Sequence, residues 1–165
     1  SKFAIVEGYK SARTNLVFSL VAENNSCVAV TSWSKGEGKS TATVNMAISF
    51  AKMGKRVLLI DTDLRRPNVH NLLKLKNTAG LSEVVGQFAD FEDVVNRTVV
   101  PCLDVLTAGT VPPNPSELIG SNAFATFSVL VFLQTVQVYI FTPSDLQVAG
   151  VVMTPSSQTC SSSGL

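Results

Sequence analysis

The chain has 165 residues, 13 basic against 12 acidic side chains, and a formal net charge of +1. Its length and 45% hydrophobic content predict a single domain with a proper core over residues 1–165, and the near-neutral charge argues against a dedicated nucleic-acid surface. Three widely spaced cysteines, Cys27, Cys102 and Cys160, form no metal-type pair and predict structural thiols in a reducing compartment.

No signal-peptide pattern opens the sequence. Residues 3–20 carry Ile5, Tyr9, Ala12, Leu16 and Leu20 at helical spacing, which predicts an amphipathic helix. Glu7, Lys10 and Arg13 step along it about one turn apart. They serve either as a subunit-contact row or as a solvated face with weak intrahelical ion pairs.

A β-branched apolar run over residues 28–31 predicts a buried strand, and a glycine-broken loop follows it. A helix then starts near Lys39 and carries Val44, Met46, Ala47, Ile48 and Phe50. Strand, glycine loop, Gly-Lys-Ser and helix is the layout of a phosphate-binding loop. Gly36 and Gly38 let backbone amides close around phosphate oxygens, and the helix N-terminus adds partial positive charge. Lys39 is expected on the terminal phosphates and the Ser40 hydroxyl on Mg²⁺, with Ser34, Lys35, Gly36, Glu37, Gly38 and Thr41 completing the nucleotide-binding segment. The simple G-x-x-x-x-G-K-[ST] pattern has Trp33 where its first glycine belongs, and the K-G-G-x-G-K-[ST] variant of dimerising ATPases has Ser34 where its first lysine belongs. The plain alternative is a glycine turn before a helix that binds nothing.

The helix is expected to end near residues 52–54, with Gly54 as its cap. Residues 56–60 predict a second buried strand, parallel to the first through a right-handed crossover. Asp61 and Asp63 stand at its C-terminal end, where open parallel sheets bind ligands. With the two strands taken as neighbours, the carboxylates arrive beside the phosphate loop, where they can hold a Mg²⁺ hydration shell or accept a proton from an attacking hydroxyl. The alternative is a strand-end turn with a helix cap.

Arg65 and Arg66 face phosphates, a neighbouring subunit or plain solvent, and His70 is a bystander to any chemistry. Short helices are predicted over residues 71–76, over 80–86 with Ser82 as its cap and Gly86 as its end, and over 91–96. Residues 103–107 alternate. Pro112, Pro113 and Pro115 then stiffen a loop before a helix that opens at Ser116.

Four segments resemble the cytoplasmic catalytic domain of bacterial tyrosine kinases that regulate capsular and exopolysaccharide synthesis. Glu7, Lys10 and Arg13 resemble an E-x-x-R-x-x-R contact helix, with Lys10 in place of the first arginine. Residues 31–41 resemble the family's T-S-x-x-P-G-E-G-K-S-T segment, with Lys35 where proline is usual. Residues 58–67 resemble its second Walker motif, and residues 108–118 its A-G-x-x-P-P-N-P-x-E-L segment. The resemblance implies an α/β fold, a P-loop NTPase-like, mostly parallel sheet flanked by helices, incomplete or altered at the C-terminal end. It implies ATP- and Mg²⁺-dependent phosphate transfer to tyrosine. The catalytic residues are then Lys39, Asp61 and Asp63, with Ser40 and Asp61 at the metal. It further implies a ring-like homo-oligomer built through the N-terminal helix, protein tyrosine substrates, no nucleic acid, and recruitment to the inner face of the cell membrane by an adaptor.

The likeness covers residues 1–120, whereas residues 121–165 are atypical. After Glu117 the only charged side chain is Asp145. Phe141 stands where the family has its Walker B aspartate, the tyrosine-rich tail is absent, and residues 154–165 are low in complexity and expected to be disordered. Composition favours a frame-shifted or otherwise altered end. A diverged pair of strands (residues 127–141 and 146–153) and a membrane span within residues 118–144 are the other readings. A partitioning-type regulatory ATPase and a catalytically inactive nucleotide-binding scaffold are the functional alternatives.

Overall fold

The computed structural model describes residues 2–22, 27–34, 36–134 and 137–140. The described strands are β1 (Cys27–Val30), β2 (Val57–Asp61), β3 (Asn96–Arg97), β4 (Leu103–Leu106) and β5 (Gln137–Ile140), in the spatial order β1-β5-β2-β4-β3. All neighbouring pairs are parallel except β3 with β4. Every residue of β2 is buried, as a parallel strand covered on both faces requires. The core continues through Val44, Ala47 and Phe50 of α2 (Lys39–Ala51), which packs on the sheet. Phe50 is fully buried, so its truncation to alanine would cost about 3–5 kcal/mol.

One expectation about the sheet is corrected. β1 and β2 are not neighbours, because β5 lies between them, with Val30 opposite Ile140 and Ile140 opposite Asp61. The crossover from β1 therefore skips one strand position, which local periodicity does not encode. The phosphate loop and the carboxylates share one edge of the sheet across about 10 Å, two strand spacings.

The helical expectations hold with shifted ends. α1 (Lys2–Ala22) lies on α2 through Tyr9, Ala12, Leu16 and Val17, whereas Ile5 stays exposed. Gly54 follows α2 in the left-handed conformation, φ 81°. α3 is Val69–Leu73, α4 Leu81–Val85, α5 Phe91–Val94 and α6 Pro115–Ile119. Ser82 does not cap α4. It is buried inside the helix, and Glu83 instead reaches back to accept the Gly80 amide at 2.7 Å. Gly86 keeps helical φ, and the left-handed residue is Gln87.

α7 (Asn122–Gln134) takes the place of a strand starting at Phe127. Phe127 is buried, its ring 6.2 Å from Phe91 and 6.4 Å from Phe124, so packing overrides the β-branched composition. Thirteen helical residues span about 20 Å, short of a bilayer core of about 30 Å. Among the described residues no helix is long and apolar enough to cross a membrane. Tyr139 lies within β5. Cys102 is disulfide-bonded, which overturns the thiol reading for that residue. Lys35, Phe141, the strand over residues 146–153, Cys160 and the low-complexity end lie outside the described residues.

Candidate nucleotide site

The loop between β1 and α2 is shaped by two residues that need left-handed backbone, Gly36 (φ 83°) and Gly38 (φ 86°). A Cβ at either would meet nothing within 4 Å, so the requirement is conformational and not steric. Gly38 is the N-cap of α2 and provides no side-chain cap. The first amide drawn back into the helix is that of Ala42, bonded to Gly38 O at 2.8 Å. Among the described residues the amides of Gly38, Lys39, Ser40 and Thr41 have no backbone acceptor, the set of orphan donors a phosphate group satisfies.

Side chains tie the loop together. Lys39 Nζ donates to Ser32 Oγ at 2.8 Å and to Ser34 O at 3.4 Å, which places the ammonium over the loop. Ser32 Oγ donates to Ser34 O, and Glu37 accepts the Ser34 amide at 3.1 Å. That amide, then the Ser32 hydroxyl and the Lys39 charge, hold the Glu37 carboxyl below its ordinary range. Ser32 carries no motif signal of its own, and its place in the Thr31-Ser32 pair after β1 is the one feature of the sequence that points to it. Ser40 is half-buried on the first turn of α2, and Thr41 O accepts from Asn45.

Across β5, the two carboxylates have different surroundings. Asp61 is fully buried, with Oδ1 accepting the Asp63 amide (3.2 Å) and Oδ2 the amides of Asn68 (3.2 Å) and Val69 (3.1 Å). Burial pushes its pKa up to about 7 although those amides favour the charged form. Asp61 thus anchors the turn into α3. Asp63 is 8% exposed, and its Oδ1 accepts the amides of Arg65 (3.3 Å) and Arg66 (2.9 Å). Its Oδ2 has no hydrogen bond among the described residues, so this carboxylate keeps an acceptor for a water, a metal's hydration shell or a hydroxyl. Among the described residues no group of three or more His, Cys, Asp and Glu side chains is placed to hold a metal ion.

Residues 28–156 match the CobQ/CobB/MinD/ParA nucleotide binding domain. The chain belongs to the CobQ/CobB/MinD/ParA nucleotide-binding family. Within this family it is similar to tyrosine-protein kinase YwqD of Bacillus subtilis, 47% identical over 116 residues, which are 70% of this chain and 49% of YwqD. It is 39% identical over 125 residues to the putative tyrosine-protein kinase CapB of Staphylococcus aureus, covering 76% of this chain and 55% of CapB. The kinase domain of the Escherichia coli tyrosine kinase ETK superposes with a TM-score of 0.76 at 31% identity, over 84% of this chain and 54% of that one. The chain thus spans about half the length of these relatives. The loop geometry fits the nucleotide binding for which the family is named.

The remaining predicted site residues lie on α1. Lys10 Nζ pairs with Glu7 Oε1 at 2.7 Å on an exposed face. Arg13 Nη1 reaches α2 instead, donating to Ser49 O at 2.8 Å and to Ser49 Oγ at 3.3 Å. His70 is half-buried, and its Nδ1 is without a partner among the described residues.

Proposed function

We propose that the chain is the ATP- and Mg²⁺-binding part of a protein-tyrosine kinase that regulates capsular or exopolysaccharide polymerisation and export. One observation carries this reading: orphan amides with Lys39 at the end of β1, and a carboxylate with an uncommitted oxygen, Asp63, two strands along the same sheet edge. Lys39 and the loop amides hold the β- and γ-phosphates. Ser40 and Asp61, together with the phosphates, would hold Mg²⁺, which would supply charge neutralisation at the transferring group. An acceptor tyrosine oxygen attacks the γ-phosphorus and the bond to ADP breaks. Asp63 accepts the phenolic proton, a role worth about 10²–10⁴-fold in rate. Positioning and charge neutralisation supply the rest.

The names of the relatives support tyrosine as acceptor, and likeness to the chimerical CapA2B2 protein (TM-score 0.72, 36% identity) supports an adaptor partner. We place the chain in the cytoplasm at the inner face of the membrane, in a homo-oligomer joined through Glu7, Lys10 and Arg13. A second reading, a nucleotide-binding scaffold without catalysis, is favoured by Phe141 in the Walker B aspartate's place and by the full engagement of Asp61.

Labelled ATP with purified chain and an adaptor decides between them. Phosphotyrosine that disappears in Lys39→Ala and Asp63→Asn supports the kinase. Micromolar Mg-ADP binding without phosphotyrosine under any activator supports the scaffold.

A further inference from the structure

Arg65 and Arg66 leave β2 immediately beyond Asp63 and form one wall of a cleft of about 520 Å³. The opposite wall is the proline loop after β4, including Pro112, Pro113 and Pro115, with Ser116 and Glu117 at its end. This cleft lies outside the phosphate loop and has no part in nucleotide binding as described above.

Its shape is preset on both walls. The root of the proline loop is pinned by Asn77, which donates to Gly109 O and accepts the Gly109 amide, both at 2.9 Å. Glu83 adds a bond from the Thr110 amide at 3.1 Å. Three prolines fix φ along the wall, so little ordering cost remains for a ligand. On the other wall Asp63 holds the backbone of both arginines, and Arg65 Nη2 donates to Ser116 Oγ at 3.2 Å.

Its charge is selective. Arg66 is exposed, and its side chain makes no hydrogen bond or ion pair among the described residues. Glu117 adds one negative charge and accepts from Asn114 Nδ2 at 3.3 Å. Two guanidinium groups with one carboxylate suit a single carboxylate on a peptide better than a run of phosphates. The cleft also lies on the β4 side of Asp63, whereas the phosphate loop lies on the β1 side. In-line transfer needs attacking and leaving groups on opposite sides of the phosphorus.

We propose that this cleft is an acceptor subsite that binds an acidic segment of the tyrosine-bearing polypeptide, with Arg66 taking a carboxylate beside the tyrosine. The inference rests on the kinase reading for the tyrosine, but its binding step is tested without catalysis. The probe is a fluorescent decapeptide with a central tyrosine flanked by glutamates, and a twin with glutamines, read by anisotropy against the full chain. Mg-ADP affinity is measured by calorimetry on the same preparations.

Arg66→Glu is expected to weaken the glutamate peptide roughly tenfold and Arg66→Lys only slightly, with Mg-ADP affinity unchanged. The glutamine peptide is expected to bind weakly to every form. Equal binding of the two peptides by the unaltered chain overturns the proposal whether or not the variants fold. So does binding insensitive to Arg66→Glu, or competition by a short RNA as effective as by the peptide. Arg66-dependent peptide binding without Mg-ADP binding sinks the kinase reading and leaves the acidic subsite standing. Phosphotyrosine formation with no preference for glutamate does the reverse.

Discussion

Arg13 on α1 donates to the Ser49 carbonyl, 2.8 Å away, near the C-terminal end of α2, whose first turn carries Lys39 and Ser40. The next turn does not use that carbonyl, because the Met53 amide bonds to Phe50 O. The arginine therefore satisfies an acceptor that the helix end leaves open, where positive charge is favourable. Arg13→Ala is expected to lower unfolding free energy by about 1–2 kcal/mol in urea titrations of the isolated chain. Unchanged stability of the isolated chain together with loss of assembly would show that Arg13 acts between subunits only.

Asp61 gives the protein a pH dependence of defined sign. Burial raises its folded-state pKa to about 7, whereas an exposed aspartate titrates near 3.8. The folded state therefore holds this proton more tightly than the unfolded state. Stability from this group is fully present below about pH 4 and is lost as pH rises through about 7. Urea midpoints taken without nucleotide or metal are expected to fall across that window, by an amount on the order of a few kcal/mol in free energy. In Asp61→Asn the slope should flatten. An identical slope in the variant would assign the effect elsewhere.

Two glycines should respond to alanine in opposite directions. A Cβ at Gly80 would overlap Thr107 O and the Gly109 amide, both main-chain atoms that cannot step aside. Gly80→Ala is expected to cost several kcal/mol, read as a large drop in melting temperature. Gly8 sits inside α1 with open space around its missing side chain. Gly8→Ala is expected to stabilise by about 0.5–1 kcal/mol.

Trp33, the only tryptophan, is 94% exposed in the phosphate loop. Its emission should be that of a solvated indole, fully open to aqueous quenchers, and Mg-ADP should change both emission and quenching. Calorimetric binding of Mg-ADP with no change in Trp33 fluorescence would place the nucleotide away from this loop.

Local patterns carried the strand–loop–helix unit, because positive-φ glycines and a lysine at a helix start are a short-range signature. The turn after β2 and the proline loop were legible for the same reason. Strand order was not, since nothing within residues 28–61 tells β1 that its neighbour is Gln137–Ile140. The helical state of α7 depends on Phe127 meeting Phe91, a contact 36 positions apart that no window contains. The difference between Asp61 and Asp63 was equally hidden. Two acids two residues apart look equivalent until the amides of Asn68 and Val69 fold back onto one of them. Residue type alone points to Ser82 as the cap, whereas the loop amides of Gly80 and Thr110 lie in reach of Glu83.

The position of β5 bears on how the chain is built as well as on where its loop sits. The strand that fills the gap between β1 and β2 is the last of the described strands to leave the ribosome. Until it does, β1 has no described strand partner, and both flanking edges stand open. Such long-range insertion is slow and exposes pairing edges to other chains. A nascent polypeptide halted before Gln137 would carry the whole glycine loop and could pair β2 with β4 and β3, while β1, the strand that leads into that loop, still lacked its described partner.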